Sequence, residues 1–372
     1  MLLPPGHNST AAGSRGRIVV TLMDTAKLTI SERKRRILRL LVKHYIQRVK
    51  PISSGYLAKL MSLSSATIRN ELKDLTELGY LEQPHPASGR IPTFRAYRLY
   101  VDELMSKLVV DADEVQHLVK AFRQLERELE LLLSSSLERL MRESPYLAYV
   151  TVPEHPPLII RSLNLLEVDR HQLVIVLVTD LGVTQSGIIQ TDVPVHKLRL
   201  GLLSERLTNY LRGRRIRQVR MRELRRILSD FTRVPVGLAD RLEQVLARLR
   251  EPEERVIFTE AYRLLTHPEF GEGERFRHLV DSISDRERFL STIEQRVGDR
   301  PLAAIIGDEA GCEEFADLSI LASNYELDES ARGQLGVVGP TRLEYRKTMP
   351  LVLNVAQALS QVLKEWRSRG EG

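Results

Sequence analysis

Apolar residues recur at helical spacing between Leu63 and Tyr80, and they divide this stretch into two contrasting faces. The apolar stripe consists of Ile68, Leu72, Leu75 and Leu78. The opposite side offers a methyl group, an amide, an ammonium, a carboxylate and a flanking guanidinium, on Ala66, Asn70, Lys73, Glu77 and Arg69. Ser64 or Ser65 is a suitable N-cap, and Gly79 is a typical C-terminal residue. The pattern predicts one amphipathic helix.

Two helices are predicted ahead of this one. The first runs from Ser31 to Arg48 and has a strongly basic polar side. After Pro51, either Ser53 or Ser54 caps a short second helix. Two helices, a tight turn and a third helix with a polar outer face make a helix-turn-helix, whose third helix reads base edges in the DNA major groove. Alone, the third helix would be interpreted as a solvated surface helix.

A hairpin wing is predicted after the third helix. Tyr80 to Glu82 is a short strand candidate, and Gln83 to Thr93 holds three prolines and a glycine, which exclude a helix. A Gly-Arg tip between two extended arms would let Arg90 reach a phosphate or the minor groove, although an ordinary surface loop is the alternative. The candidate DNA-contacting residues are Ser65, Ala66, Arg69, Asn70, Lys73 and Arg90.

The middle of the chain begins with helices. Thr93 to Leu108 is predicted as one helix, and Asp113 to Arg142 as a single long one. From Val115 to Leu132, apolar positions follow spacings of 3-4-3-4-3, which is a heptad seam. The seam fits either packing within its own domain or a coiled coil between two copies of the chain.

The remainder predicts an α+β domain with a mixed sheet, interrupted by helices. Strands are expected at Leu158–Val168, Leu173–Thr179, Val183–Gln190, Leu302–Ile306 and Leu318–Ser323. Helices are expected at His196–Arg212, Met221–Phe231, Leu238–Arg250, Glu254–Thr266, Arg275–Ile283 and, last, Pro350–Arg367. Gly333 to Pro340 is interpreted as a glycine-rich turn.

Composition narrows the function. The 372 residues suffice for two or three domains, and a net charge of +6 favours an anionic partner. The one cysteine, Cys312, excludes intramolecular disulfides, and histidine spacing gives a metal site no support. No cofactor motif, nucleophile–base pair, signal peptide or membrane-spanning run is recognised. A cytoplasmic protein without enzymatic activity is expected, and Met23 is an alternative start codon to Met1.

Three motifs carry a family resemblance. ATIRNELKDLTELGYLEQPHPASGRIPTFRAYRLYVDEL from residue 66, AYRLLTHPEF from residue 261 and GVVGPTRLEY from residue 336 resemble the heat-inducible transcription repressor family HrcA. The resemblance implies an N-terminal winged helix, a GAF-like domain and a helical dimerising domain inserted into it. It also implies a dimer that represses chaperone operons from an inverted-repeat operator, with activity modulated by the chaperonin GroEL.

The resulting domain plan has five parts. It places a disordered tail at 1–28, the winged helix at 29–108, the two GAF-like parts at 109–194 and 285–372, and the dimerising insertion at 195–284. Two other classes stay open: a transcription regulator that senses a small molecule through the GAF-like domain, and an enzyme in the C-terminal region. A polar, roomy pocket would favour the former, and a perturbed titratable group in a cleft would favour the latter.

Overall fold

The computed structural model describes residues 30–368 except for 126–127, 154–155, 192–193, 195–196, 233, 252–254, 272 and 329–330. The tail predicted at 1–28 lies outside the described residues. The first domain contains, in order, α1 Glu32–Arg48, α2 Ser54–Met61, α3 Ser65–Glu77, β1 Leu81–Glu82, β2 Ile91–Pro92 and α4 Phe94–Met105. β1 and β2 pair antiparallel. The winged helix-turn-helix predicted from the sequence is confirmed.

Serine caps define the starts of the first three helices. Ser31, Ser53 and Ser64 each accept a hydrogen bond from the backbone N–H three residues later. Such a cap stabilises a helix by about 1 kcal/mol. Ser62 ends α2 in the left-handed region at φ 54°, which keeps the turn before α3 tight. The structure thus selects Ser53 and Ser64 from the two pairs that the sequence left open.

A small apolar core holds the three helices together. Ile37 and Leu41 of α1, Leu57 of α2, and Ile68 and Leu75 of α3 have no exposed surface. Burying each such side chain contributes roughly 1.5–3 kcal/mol. The apolar stripe of α3 therefore faces inward as predicted, which fixes its polar face outward.

The predicted long helix at Asp113–Arg142 is wrong, because the chain forms two helices there. They are α5 Ala112–Phe122 and α6 Leu129–Glu143. Both pack against the last helix, α12 Tyr345–Ser368. The Leu129 N–H bonds to the Leu181 carbonyl at 2.8 Å, so a tertiary contact replaces the helical bond at the break. The seam residues from Val115 to Leu132 are consequently buried within the chain's own domain.

A five-stranded antiparallel sheet forms the centre of the molecule. Its strands are β3 Leu147–Thr151, β7 Val256–Phe258, β8 Ala303–Ile306, β9 Leu318–Glu326 and β10 Arg332–Pro340, in the spatial order β7-β3-β10-β9-β8. α6 and α12 cover one face, and α5 packs against α12. The other face packs against α10 Gly273–Ser284 and α11 Arg286–Val297 around Phe289 and Ile293.

Gly333 to Pro340 is the central strand β10, which corrects the predicted glycine-rich turn. Its glycines serve close packing. A Cβ at Gly336 would lie 1.9 Å from the Leu321 carbonyl oxygen, and one at Gly333 would lie 2.3 Å from the Tyr325 ring. The two positions therefore need glycine for lack of space beside the strand, and they make no turn.

A second unit is inserted between β3 and β7. It contains β4 Ile160–Asp169, β5 Gln172–Thr179 and β6 Thr184–Gln190 in a separate antiparallel sheet, with α7 Lys197–Leu211, α8 Met221–Ser229 and α9 Leu238–Arg250. α7 lies along β4, where Thr208 and Ser204 accept hydrogen bonds from the Leu163 and Leu165 amides at 3.0 and 2.8 Å. α9 packs on β6.

The insertion therefore differs from the domain plan. The predicted boundary at 194 and 195 divides a unit that packs as one, because β4–β6 form a sheet of their own that packs with α7 and α9. The insertion includes a sheet, and α10 belongs to the central domain. Glu254–Thr266 is not a helix either: its described part forms β7 and a 3₁₀ helix, Ala261–Thr266. α11 was not predicted, although Phe289, Ile293 and Val297 recur at helical spacing.

Candidate nucleic-acid interface

The outward face of α3 carries the side chains that were predicted to contact DNA. Ser65, Ala66, Arg69, Asn70 and Lys73 are all exposed. Lys73 lies 3.7 Å from Glu77, one turn further along, and both side chains are well exposed. Such a surface pair contributes little to stability, so Lys73 can exchange Glu77 for a phosphate at low cost. The structure thus brings five of the six candidate residues together on one helix.

Charges on the opposite flank anchor α3 to α1. The Lys34 ammonium lies 3.2 Å from Glu71 and 2.9 Å from Asp74, and Arg33 lies 3.6 Å from Glu71. Hydrogen bonds to Asp74 and then Glu71 raise the pKa of Lys34. Glu71 and Asp74 of α3 are therefore directed at α1. The first acidic residue on the outward side of α3 is Glu77, at the end of the helix.

Two helix N-termini meet beside this face. The Ser54 and Ser65 hydroxyl oxygens, in the first turns of α2 and α3, are 3.5 Å apart. The following Gly55 is exposed and has open space where a Cβ would be. Free backbone N–H groups and the helix dipole make such a position favourable for a phosphate oxygen. Sequence reasoning missed Ser54 and Gly55, for which the only signal was the cap at Ser53.

Arg90 lies elsewhere than the sequence analysis placed it. Its backbone pairs with Ile52 through two hydrogen bonds of 2.9 Å, and its Nε donates to the Thr76 hydroxyl of α3 at 3.2 Å. Gly89 beside it is required, because a Cβ would lie 2.5 Å from the Ile52 backbone. Arg90 is half-buried and joins the wing to α3. The predicted Gly-Arg tip is therefore the start of the second arm.

The tip of the wing is the turn from Pro84 to Ser88. Gln83 Nε2 donates to the Pro86 carbonyl at 2.7 Å, and the Ser88 hydroxyl accepts from the His85 N–H at 3.0 Å. These bonds shape the turn and leave His85, Pro86 and Ala87 exposed. Sequence reasoning overlooked His85 as the polar side chain that the wing presents. His85 follows the N-termini of α2 and α3 and the outward face of α3 within the same domain, which makes it a further candidate for DNA contact.

Two other kinds of feature are absent from the described part of the chain. No group of three His, Cys, Asp or Glu side chains there could hold a metal ion. No helix described by the structure is long and apolar enough to cross a bilayer. Large pKa shifts belong to tyrosines packed in the core, where burial raises the pKa of Tyr149 and Tyr325.

A helix-turn-helix with an exposed polar third helix and a hairpin wing defines a winged-helix DNA-binding protein. Comparison with protein families identifies the family of winged-helix proteins to which the chain belongs. Residues 28–104 match the model described as "Winged helix-turn-helix transcription repressor, HrcA DNA-binding". Residues 130–349 match the model described as "HrcA protein C terminal domain". The chain belongs to the HrcA family, and its winged helix is the DNA-binding domain.

Curated relatives agree over nearly the whole chain. The heat-inducible transcription repressor HrcA of Geobacter sulfurreducens is 30% identical over 337 residues, which cover 90% of this chain and 98% of that protein. The protein of the same name from Desulfitobacterium hafniense is 30% identical, with the same coverage of both chains. A crystal structure described as that of a hypothetical protein has a TM-score of 0.65 at 24% identity, covering 91% and 98% of the two chains. This structure supports the fold alone.

Proposed function

We propose that the chain represses heat-shock (chaperone) genes by binding an inverted-repeat operator as a homodimer. The observation that carries the proposal is the outward face of α3, where Arg69 and Asn70 are exposed beside the small side chain of Ala66. Arg69 would bind guanine or Asn70 adenine in bidentate fashion, and Ala66 would let the helix approach the bases closely. Lys73, Ser65 and the wing would contact phosphates and set the register.

The role proposed for Arg90 differs from the one predicted from the sequence. Because its Nε is bonded to Thr76, the side chain would act from the junction of α3 and the wing. One remaining guanidinium N–H group could still reach a phosphate, so the predicted DNA contact is kept with a positioning role added. His85 at the tip would take the more peripheral contact that the sequence analysis assigned to Arg90.

A two-fold operator requires a two-fold protein, and the inserted unit offers a surface for it. One face of its sheet is covered by α7 and α9. On the other face, Leu166, Val174 and Ile188 lie side by side across the three strands. Leu166 is 53% exposed and Ile188 is 54% exposed. An open apolar sheet face of this kind suits a second copy of the chain.

The family membership supports the remaining parts of the proposal. We infer a cytoplasmic regulator that is not an enzyme and needs no cofactor. The chaperonin GroEL would return heat-denatured repressor to its DNA-binding form, and the domain with the five-stranded sheet would be GAF-like. Natural domains are only about 5–15 kcal/mol more stable than their unfolded chains, so mild heat shifts such an equilibrium readily. A chaperonin that captures the nonnative chain would then control the active fraction.

The test is operator binding by fluorescence anisotropy. Labelled duplexes would carry the upstream regions of the chaperone operons, with shuffled duplexes of equal composition as controls. We expect tight, salt-dependent binding to the former and much weaker binding to the latter. The protein would then be heated mildly and assayed with and without chaperonin and ATP. Equal affinity for shuffled DNA would contradict the repressor function, and full spontaneous recovery would contradict the chaperonin role.

A further inference from the structure

A cavity of about 560 Å³ lies where the winged helix meets α12. Pockets that bind small molecules have volumes of roughly 300–1,000 Å³. Three structural elements form its walls: α1, the C-terminal part of α4 with the segment that follows, and the first turns of α12. Its lining includes Arg39, Tyr100, Glu103, Leu104, Lys107, Val109, Arg346 and Met349. None of them belongs to the proposed DNA-contacting face.

The cavity carries an excess of positive charge. Arg39, Lys107 and Arg346 line it, and Glu103 is the one acidic residue among the described residues of its lining. Glu103 is shared by two of the cations, since Arg39 Nε donates to it at 2.9 Å and Lys107 Nζ lies 3.3 Å from it. Arg346 is exposed and makes no ion pair or hydrogen bond among the residues that the structure describes. A single negative charge would therefore find an available guanidinium there.

The remaining wall is apolar and partly uncovered. Val109 is 63% exposed, Leu104 is half-buried and Met349 is buried. Tyr100 also lines the cavity and is buried, and its hydroxyl has no hydrogen-bond partner in the described part of the chain. Burial raises the pKa of Tyr100; Arg346 and Arg39 oppose this shift, whereas Glu103 adds to it. Tyr100, Arg39 and Arg346 all line this one cavity.

We propose that this cavity binds a small amphipathic anion, namely a carboxylate attached to an apolar body of about the length of a medium acyl chain. The carboxylate would pair with Arg346 and accept a hydrogen bond from the Tyr100 hydroxyl. The apolar body would cover Val109, Leu104 and Met349. Charge-assisted pairing with arginine suits a planar carboxylate in particular.

The cavity lies between two domains, so a bound ligand would affect how they are arranged. α1 and α4 belong to the DNA-binding domain, whereas α12 belongs to the central domain. Tyr97 of α4 and Tyr345 of α12 are in contact nearby, with ring centroids 6.4 Å apart. A ligand that contacts both sides would favour one relative arrangement of the two domains. By linkage, operator DNA and the ligand would then change each other's affinity by the same factor.

The direct test is titration calorimetry of the full chain with sodium octanoate and, separately, with 1-octanol. We expect octanoate to bind one site per chain and 1-octanol to bind at least about tenfold more weakly. Arg346→Met should weaken octanoate binding by a similar factor. Lys347→Met is the matched control, because Lys347 is the neighbouring exposed cation on α12 and does not line the cavity.

Val109→Trp provides a second, independent variant. Val109 is largely exposed, so the indole can be accommodated at the rim without unfolding the core, and it should block octanoate binding. Absence of octanoate binding to the unmodified chain, equal binding of octanol, or equal binding by Arg346→Met would each overturn the proposal. Operator affinity is measured separately, so a chain that binds octanoate and no operator would contradict the repressor function and support this site.

Discussion

Arg98 of α4 donates a hydrogen bond from Nη1 to the Ala304 carbonyl oxygen of β8 at 2.8 Å. The same guanidinium lies 3.2 Å from Glu309 and 2.7 Å from Asp102. β8 is an edge strand of the five-stranded sheet, and edge strands expose unpaired backbone groups. Arg98 of the DNA-binding domain thus supplies a hydrogen-bond donor to the edge strand β8 of the central domain. This bond connects the two domains directly.

Arg98→Ala should loosen this connection. The variant leaves the Ala304 carbonyl without its donor, while Glu309 keeps its bond from the Ile306 N–H at 3.0 Å. We expect a loss of about 1–3 kcal/mol in the free energy of unfolding and faster hydrogen exchange in β8. Arg95→Ala is the control, since Arg95 bonds to the Leu78 carbonyl within the winged helix. Equal exchange in both variants would contradict the interdomain role.

Asn70→Ala should reduce discrimination between operator and random DNA. Asn70 is exposed on the outward face of α3, and an amide can bind adenine through two hydrogen bonds. We expect a loss of about 1–3 kcal/mol on the operator and little change on random DNA. Competition titrations at one salt concentration measure both affinities. Equal loss on the two kinds of DNA would contradict base reading by Asn70.

Lys73→Ala should behave differently on the same helix. Because Lys73 would neutralise a phosphate, its removal should weaken binding to all sequences and reduce the salt dependence by about one counterion. Glu77→Gln is the matched variant: it frees Lys73 from its neighbour at 3.7 Å and should strengthen binding slightly. An unchanged salt slope in Lys73→Ala would show that Lys73 makes no phosphate contact.

Ile188→Glu should give a monomer. Ile188 points away from α7 and α9, between exposed neighbours on the open face of β4–β6, so a carboxylate there leaves the monomer core intact. Leu131→Glu is the control, because Leu131 is also a large exposed apolar residue but lies on α6, which is not part of the inserted sheet. Sedimentation velocity should show monomers for the first variant and dimers for the second. Dimers in Ile188→Glu would place the interface elsewhere.

The sequence predicted the winged helix well because its signals are local. Serine caps, an apolar stripe at Ile68, Leu72 and Leu75, and a proline-rich hairpin all act within a few residues of each other. The exposed face of α3 follows from that stripe alone. Arg90 was misplaced because its position depends on pairing with Ile52, far away in sequence, and no local pattern reports such a contact.

The central domain was harder to predict because its helices and strands are defined by partners that are distant in sequence. Gly336 is in a strand since β9 approaches too closely for any side chain, and this packing leaves the same glycine signal as a turn. The helix predicted from Asp113 to Arg142 breaks because both halves find contacts on α12. Strands β4–β6 were assigned to the wrong unit, because the hydrophobic pattern of a strand does not indicate which sheet the strand joins.

Acid should destabilise the fold through His267. This side chain is buried, stacks on Tyr146 with ring centroids 5.3 Å apart, and lies near Arg342 and Glu269. Burial, its largest influence, lowers the pKa of His267. The unfolded chain, with a histidine pKa near 6.5, therefore binds more protons than the folded chain in mildly acidic solution. Stability should be level above about pH 6.5 and fall as the pH drops toward the folded-state pKa.

His267→Phe should reduce this fall, because phenylalanine keeps the stacking on Tyr146 and cannot be protonated. Burial also lowers the pKa of His44, so part of the pH dependence should persist in the variant. His85→Phe is the control, because His85 is exposed in the wing. Urea unfolding at pH 7 and pH 5 measures the difference for each chain. If His267→Phe lost as much stability between the two pH values as the unmodified chain, protonation of His267 would not be the cause.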